Sequence, residues 1–166
     1  YGCTVMPVSV SIVASSNPVC AGTSVTFTAT PINGGTSPSY QWKVNGTNVG
    51  TNASTYSYVP ANTDLVSCVL TSSLSCTSGN PATSNTISMA VTTPLPVSVS
   101  IVASSNPVCA GTSVTFTATP VNGGSAPSYQ WKVNGTNVGT NSPTYSYVPA
   151  NNDVVTCVLT SNATCT

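Results

Sequence analysis

The side chains that could do chemistry in this chain are few. Lys43, Asp64, Lys132 and Asp153 are its only charged residues, and it has no Arg, Glu or His. General acid–base catalysis needs a positioned His, Glu, Asp or Lys working with a partner. A calcium site needs several carboxylates. One Lys and one Asp in each half of the chain meet neither need, so the reading is no enzyme, no metal and no cofactor. A Lys–Asn isopeptide cross-link would require a buried Lys and an acidic catalyst. Lys43 alternates with Trp42 and should point outward, and there is no Glu. Asp64 follows Ala61-Asn62-Thr63 and is expected to cap the turn before the next strand. The same scarcity of charge excludes nucleic acid as a partner, because phosphate recognition needs clustered Lys and Arg. No apolar run approaches the length that membrane insertion requires.

The seven cysteines are the other reactive group. None forms a CxxC pair, and without His or Glu a zinc or redox role is less favoured than disulfides. Disulfides imply an oxidising compartment, so the expected location is extracellular, at a cell surface. Tyr1-Gly2-Cys3 carries neither an initiator Met nor a signal peptide, and is read as the start of a mature or excised segment.

Positioning these groups is the task of an internal repeat. Residues 7–77 align without a gap onto 96–166, with 60 identities over 71 positions. A repeat of this length suits a whole sandwich domain and is too long for a solenoid unit. At the centre of each copy stands Tyr-Gln-Trp-Lys-Val, at 40–44 and 129–133. Its alternation is that of a half-buried strand. Trp42 and Trp131 are the only tryptophans, one per copy, and each is expected to pin a core. Around the first lie runs at 8–14, at 23–30 (Val25, Phe27 and Ala29 inward), at 55–59, at 65–72 (Val66, Cys68 and Leu70 inward) and at 86–91 (Ile87, Met89 and Val91). Asn45-Gly46 is a hairpin turn signal, and Thr93-Pro94-Leu95-Pro96 is a stiff linker. The fold class is therefore all-β, two tandem immunoglobulin-like β-sandwich domains, residues 1–93 and 94–166. The second lacks its last strand within this chain. The expectation is that the polypeptide continues past Thr166. The alternative is a strand donated by a neighbouring subunit.

The motifs Asn-Pro-Val-Cys-Ala-Gly, Tyr-Gln-Trp-Lys-Val-Asn-Gly and Val-x-Cys-Val-Leu-Thr-Ser-x-x-x-Cys resemble the tandem Ig-like or PKD-like repeats of large Bacteroidota cell-surface proteins. Such proteins are associated with gliding motility and type IX secretion. The resemblance spans 7–91 and 96–166. It implies an exported structural module of a fibre, filament or stalk, or else an adhesin that contacts glycan. It carries over no catalytic residue. Self-association, or neighbouring repeats of a longer chain, would supply the partners.

One departure from antibody domains bears on the cysteines. Cys20 precedes the strand that would usually carry it, and Val25 and Phe27 hold the inward positions. Taking Cys68 as the start of its strand, at the same end of the sandwich, gives Cys20–Cys68 and Cys109–Cys157 as expected bridges. Cys76 would then face Cys3. Cys165 is left over, for an intermolecular link. Tyr40, Trp42, Tyr56 and Tyr58 could form a sugar platform, but their parity matches the core. Thr26, Thr28 and Thr30 form an exposed ladder that could meet a regular lattice, or simply be a strand face where Thr is favoured. Asn45, Asn52, Asn134 and Asn162 match the N-glycosylation pattern.

Overall fold

The structure, a computed structural model, describes residues 2–166. The chain divides into two compact units between Thr93 and Pro94.

Unit 1 contains β1 (Met6–Pro7), β2 (Ser9–Ala14), β3 (Val19–Cys20), β4 (Val25–Ile32), β5 (Ser39–Val44) and β6 (Thr47–Val49). It continues with β7 (Thr55–Tyr58), β8 (Leu65–Thr71), β9 (Thr77–Ser78), β10 (Ala82–Thr83), β11 (Ile87–Ser88) and β12 (Val91–Thr92). One sheet has the order β2-β4-β7. The other has β6-β5-β8, with β10 and β11 both on the free edge of β8. Phe27 of the first sheet meets Trp42 of the second, ring centroids 6.4 Å apart. This is an immunoglobulin-like sandwich, and no helix occurs among the described residues.

Alternation dictates which residues fill it. Val25, Phe27 and Ala29 are buried, while Thr26, Thr28 and Thr30 between them are exposed. Trp42, Val66, Cys68 and Leu70 lose all solvent contact. The indole N–H of Trp42 donates to the Ala53 carbonyl at 2.9 Å, so its one polar atom is satisfied inside the core. The β5–β6 hairpin turns at Asn45 (φ 52°) and Gly46 (φ 80°), the left-handed pair that a tight hairpin needs.

The strand expected over 86–91 is real but broken. After β10, Ser84 exchanges two hydrogen bonds with the Cys68 backbone, its N–H to the carbonyl and its Oγ from the N–H, each 2.9 Å. The Asn85 side chain then acts as a miniature strand. Its Oδ1 accepts from Ile12 N–H at 2.8 Å and its Nδ2 donates to Ile12 C=O at 3.1 Å. β11 pairs antiparallel with β8, Ile87 opposite Val66. Met89, 1% exposed, enters the core. β12 finally runs parallel to β3, Val91 opposite Val19 and Thr92 opposite Cys20. The segment therefore closes the gap between the sheets rather than merely extending one of them.

Unit 2 repeats the core of this plan. β13 (Ser98–Ala103), β14 (Val114–Val121) and β17 (Thr144–Tyr147) form one sheet; β15 (Ser128–Val133), β16 (Thr136–Val138) and β18 (Val155–Thr160) form the other. Registers match those of unit 1, with Trp131 opposite Cys157 as Trp42 is opposite Cys68. Counterparts of β9–β12 are absent among the described residues.

Candidate interaction site on the open face of unit 2

Residues 94–166 include no counterpart of residues 82–92, and the burial of the two units differs accordingly. Val10 and Ile12 are buried in β2, whereas Val99 and Ile101 are only half-buried in β13. Val66, Cys68 and Leu70 are wholly buried in β8, whereas Val155, Cys157 and Leu159 are half-buried in β18. Phe27 is fully covered and Phe116 is not. Trp131 and Val114 remain buried. The gap is a cavity of about 700 Å³, lined among others by Asn106, Val108, Phe116, Tyr147, Asp153 and Val155. Val108-Cys109 is not a strand, although Val19-Cys20 is. Among the described residues no strand pairs with it.

At the rim of each sandwich sits the one carboxylate. Asp64 accepts from Asn45 Nδ2 (2.8 Å), Ala61 N–H (2.9 Å) and Tyr58 O–H (3.1 Å). It caps the turn before β8, as expected, and also ties that turn to the β5–β6 hairpin. Partial burial pushes its carboxyl up, but these three donors outweigh it and hold the group below the ordinary carboxylate range. Burial, together with the Asp64 charge, raises the Tyr58 phenol. Asp153 repeats the arrangement with Asn134, Ala150 and Tyr147. These carboxylates are spent on structure. Lys43 lies on the outer side of β5 by register and is half-buried.

Two expected bridges are corrected. Cys68 is free and buried, Cys109 free and exposed, Cys157 free and half-buried, so neither Cys20–Cys68 nor Cys109–Cys157 forms. Cys68 lies midway along β8, facing Trp42 in register, not at the start of its strand. Cys20 lies on β3 at the edge, beside Thr92. Burial pushes the Cys68 thiol up to about 11. The Cys157 thiol is raised for the same reason. Cys3 and Cys76 do form a disulfide, because β1 runs parallel to β9 and Met6 N–H donates to the Cys76 carbonyl. Cys165 makes the same backbone contact with Leu95. It is not left over for an intermolecular link: both it and Cys20 are disulfide-bonded.

The aromatics form a continuous stack rather than a platform. Phe27, Tyr58, Tyr56 and Trp42 follow one another at centroid distances of 5.8, 5.3 and 6.0 Å, and unit 2 repeats the stack from Phe116 to Trp131. Of the glycosylation-pattern residues, Asn45 and Asn134 have both amide atoms engaged, through Asp and the backbone N–H that follows it. Asn162 accepts from Ala126 N–H at 3.0 Å. Asn52 is exposed and uses its Oδ1 to hold Tyr40 N–H at 2.7 Å.

Sequence reasoning missed the polar clamps of residues 82–92: Ser84 and Asn85 on the closing strand, Asn17 and Asn62 on its receptor. The signal was an Asn two residues before an alternating apolar run, which resembles any loop Asn until its partner strand is known. Among the described residues no helix is long and apolar enough to cross a membrane. No protein-family model and no curated protein matches the chain.

Proposed function

We propose that this chain is a piece of an extracellular structural array, in which immunoglobulin-like units of one kind follow one another as a surface fibre or stalk. The observation that carries this reading is where the two units agree. The 60 shared positions include exposed Thr26, Thr28, Thr30, Asn48 and Asn52 as well as the core. Units that each bind a different ligand have no reason to keep identical surfaces; units that stack do. The Cys3–Cys76 disulfide and the lack of charge suit an oxidising, variable exterior. The motif resemblance to Bacteroidota surface repeats points the same way. Negative-stain electron microscopy of the native material tests it: filaments with an axial repeat set by one unit are expected, and dispersed globules would refute it.

A second reading, a glycan-contacting adhesin, rests on the hydroxyl ladder, where Thr26 Oγ1 and Ser57 Oγ lie 2.8 Å apart on an exposed face. Binding to a glycan array that is abolished by Thr28→Val would favour it.

A further inference from the structure

We propose that Asn52 carries an N-linked oligosaccharide, and that this sugar guards the free edges of β6 and β7 in unit 1. Its source is an oligosaccharide on a lipid pyrophosphate, transferred by an enzyme of the export route. A bond forms between Asn52 Nδ2 and the anomeric carbon as the bond from that carbon to the pyrophosphate oxygen breaks. One Nδ2 proton passes to a base of the transferase, and the lipid pyrophosphate leaves.

The chain contains four Asn-x-Ser/Thr triplets, beginning at 45, 52, 134 and 162, and the fold treats them differently. Asn45 is tied at three points. Its N–H donates to Leu65 C=O, its Oδ1 accepts from Leu65 N–H, both at 2.9 Å, and its Nδ2 donates to Asp64 at 2.8 Å. Asn134 repeats these bonds with Val154 and Asp153. Asn162 is laid across residues 123–126: its N–H donates to Gly123 C=O, its Oδ1 accepts from Ala126 N–H, and its Nδ2 donates to Ser125 Oγ. A sugar on any of these three nitrogens crowds a bond that holds a turn. Asn52 is the exception. Its Oδ1 accepts from Tyr40 N–H at 2.7 Å, but its Nδ2 finds no acceptor among the described residues. Ser54 supplies the hydroxyl that the acceptor pattern requires; it is exposed, and that hydroxyl also makes no bond. The backbone beneath is fastened. Ala53 N–H donates to Thr51 C=O at 2.8 Å, the Trp42 indole holds Ala53 C=O, and Ala29 N–H holds Ser54 C=O at 2.8 Å. The triplet is a fixed mount that leaves to solvent the two side-chain groups a transferase uses.

Unit 2 has the same mount without the hydroxyl. Asn141 Oδ1 accepts from Tyr129 N–H at 2.7 Å, the Trp131 indole holds Ser142 C=O, and Ala118 N–H holds Pro143 C=O. Pro143 stands where Ser54 stands in unit 1, so Asn141 is no acceptor and serves as a built-in control. The position of Asn52 gives the sugar its task. Residues 50–54 carry the chain from β6 to β7, and these are edge strands of the two sheets. Sheet edges invite pairing with other chains, and proteins blunt them above all with Lys. The one Lys of unit 1 lies on β5. A bulky, hydrated oligosaccharide between the two edges blocks both without adding charge. This inference uses the exterior location proposed above and does not rest on the array.

Mass spectrometry of peptides from the native material is the first test. The peptide containing Asn52 is expected to carry a carbohydrate mass that peptide N-glycosidase removes, converting the residue to Asp. Peptides containing Asn45, Asn134 and Asn162 are expected bare. A bare Asn52, or sugar spread evenly over the four triplets, overturns the proposal. The full chain expressed through a eukaryotic secretory pathway tests the mount itself, with one glycan per chain expected. Ser54→Ala keeps the bond from Tyr40 to Asn52 and should lose the glycan with the thermal melt unchanged. Pro143→Ser should add a second glycan, at Asn141. A glycan that survives Ser54→Ala, or none gained by Pro143→Ser, overturns the role given to the mount. Enzymatic removal of the sugar should bring on concentration-dependent association, read by light scattering; no association at any concentration overturns the guarding role. Glycosylated Asn52 on dispersed globules removes the array reading alone.

Discussion

Thr63 offers a test in which one unit serves as the control for the other. Its backbone is left-handed, φ 70°, and its side chain is exposed. A left-handed conformation crowds Cβ against the following carbonyl oxygen by roughly 1–2 kcal/mol, and a β-branched residue is least suited to it. The same position in unit 2 is Asn152, at φ 69°, a residue type that visits this region routinely. The contact that position 63 makes, N–H to Met89 C=O at 2.8 Å, belongs to the backbone and survives substitution. Thr63→Asn should therefore stabilise unit 1 by about 1 kcal/mol, which for a domain of this size raises Tm by roughly 4–8 °C. Asn152→Thr should lower unit 2 by a similar amount. Differential scanning calorimetry, with Trp131→Phe or Trp42→Phe backgrounds to assign each transition by fluorescence, measures both. Thr63→Asn without gain, together with Asn152→Thr without loss, would refute the account of strain at this turn.

Trp42→Ala removes a wholly buried side chain and should cost about 3–5 kcal/mol, abolishing the unit 1 transition in the same calorimetric scan. Asp64 has its folded pKa depressed, so its contribution is complete above the unfolded value near 4 and is lost as pH falls through the lower folded value. Stability of unit 1 should be flat between about pH 5 and 8, decline in strong acid, and decline again in alkali above the ordinary thiol value of about 8.5, because burial holds the Cys68 thiol protonated up to about 11; Asp64→Asn should flatten the acid limb alone, and a midpoint falling already at pH 6 would contradict this. Removing Cys3–Cys76, which closes a separation of 73 residues, should cost unit 1 about 2–4 kcal/mol, read as the denaturant midpoint shift of Cys3→Ser in the absence of reductant, since dithiothreitol would also reach the disulfide-bonded Cys20 and Cys165. Raising salt from low to moderate levels should leave both midpoints in place, because four charged side chains give little to screen.

The fold was legible wherever a side chain reports its own environment. Val25-Thr26-Phe27-Thr28-Ala29 alternates so cleanly that both face and core could be read from it, and Asn45-Gly46 announced its turn. Trp42 was identifiable as a core residue because it is single in each copy and flanked by alternation. What stayed hidden depended on partners distant in the chain. The amide of Asn85 is meaningful only because Ile12 lies across from it, 73 positions away. The error over Cys68 has a related cause. The parity was right, and the residue does face inward, but its height along the strand depends on register against β5. That register places it against Trp42, out of reach of the edge where Cys20 lies. The open face of unit 2 was readable as an omission; its depth and polar lining were not.

The left-handed turns also decide how this chain ages. Asn33, Asn45, Asn122 and Asn134 each precede Gly, the pairing in which the next backbone nitrogen most readily attacks the side-chain amide and turns Asn into Asp or isoAsp. In the folded units all four sit at φ between 51° and 55°. Their amides are held, Asn33 on Pro7 C=O and Asn122 on Pro96 C=O, Asn45 and Asn134 on their Asp partners, so the attack geometry is denied while the turn stays closed. Each opening that lasts long enough adds one permanent negative charge to a chain whose formal net charge is zero. In a neutral protein such additions are not lost against a background. An isoelectric-focusing ladder of old material would count, step by step, how often its turns had come undone.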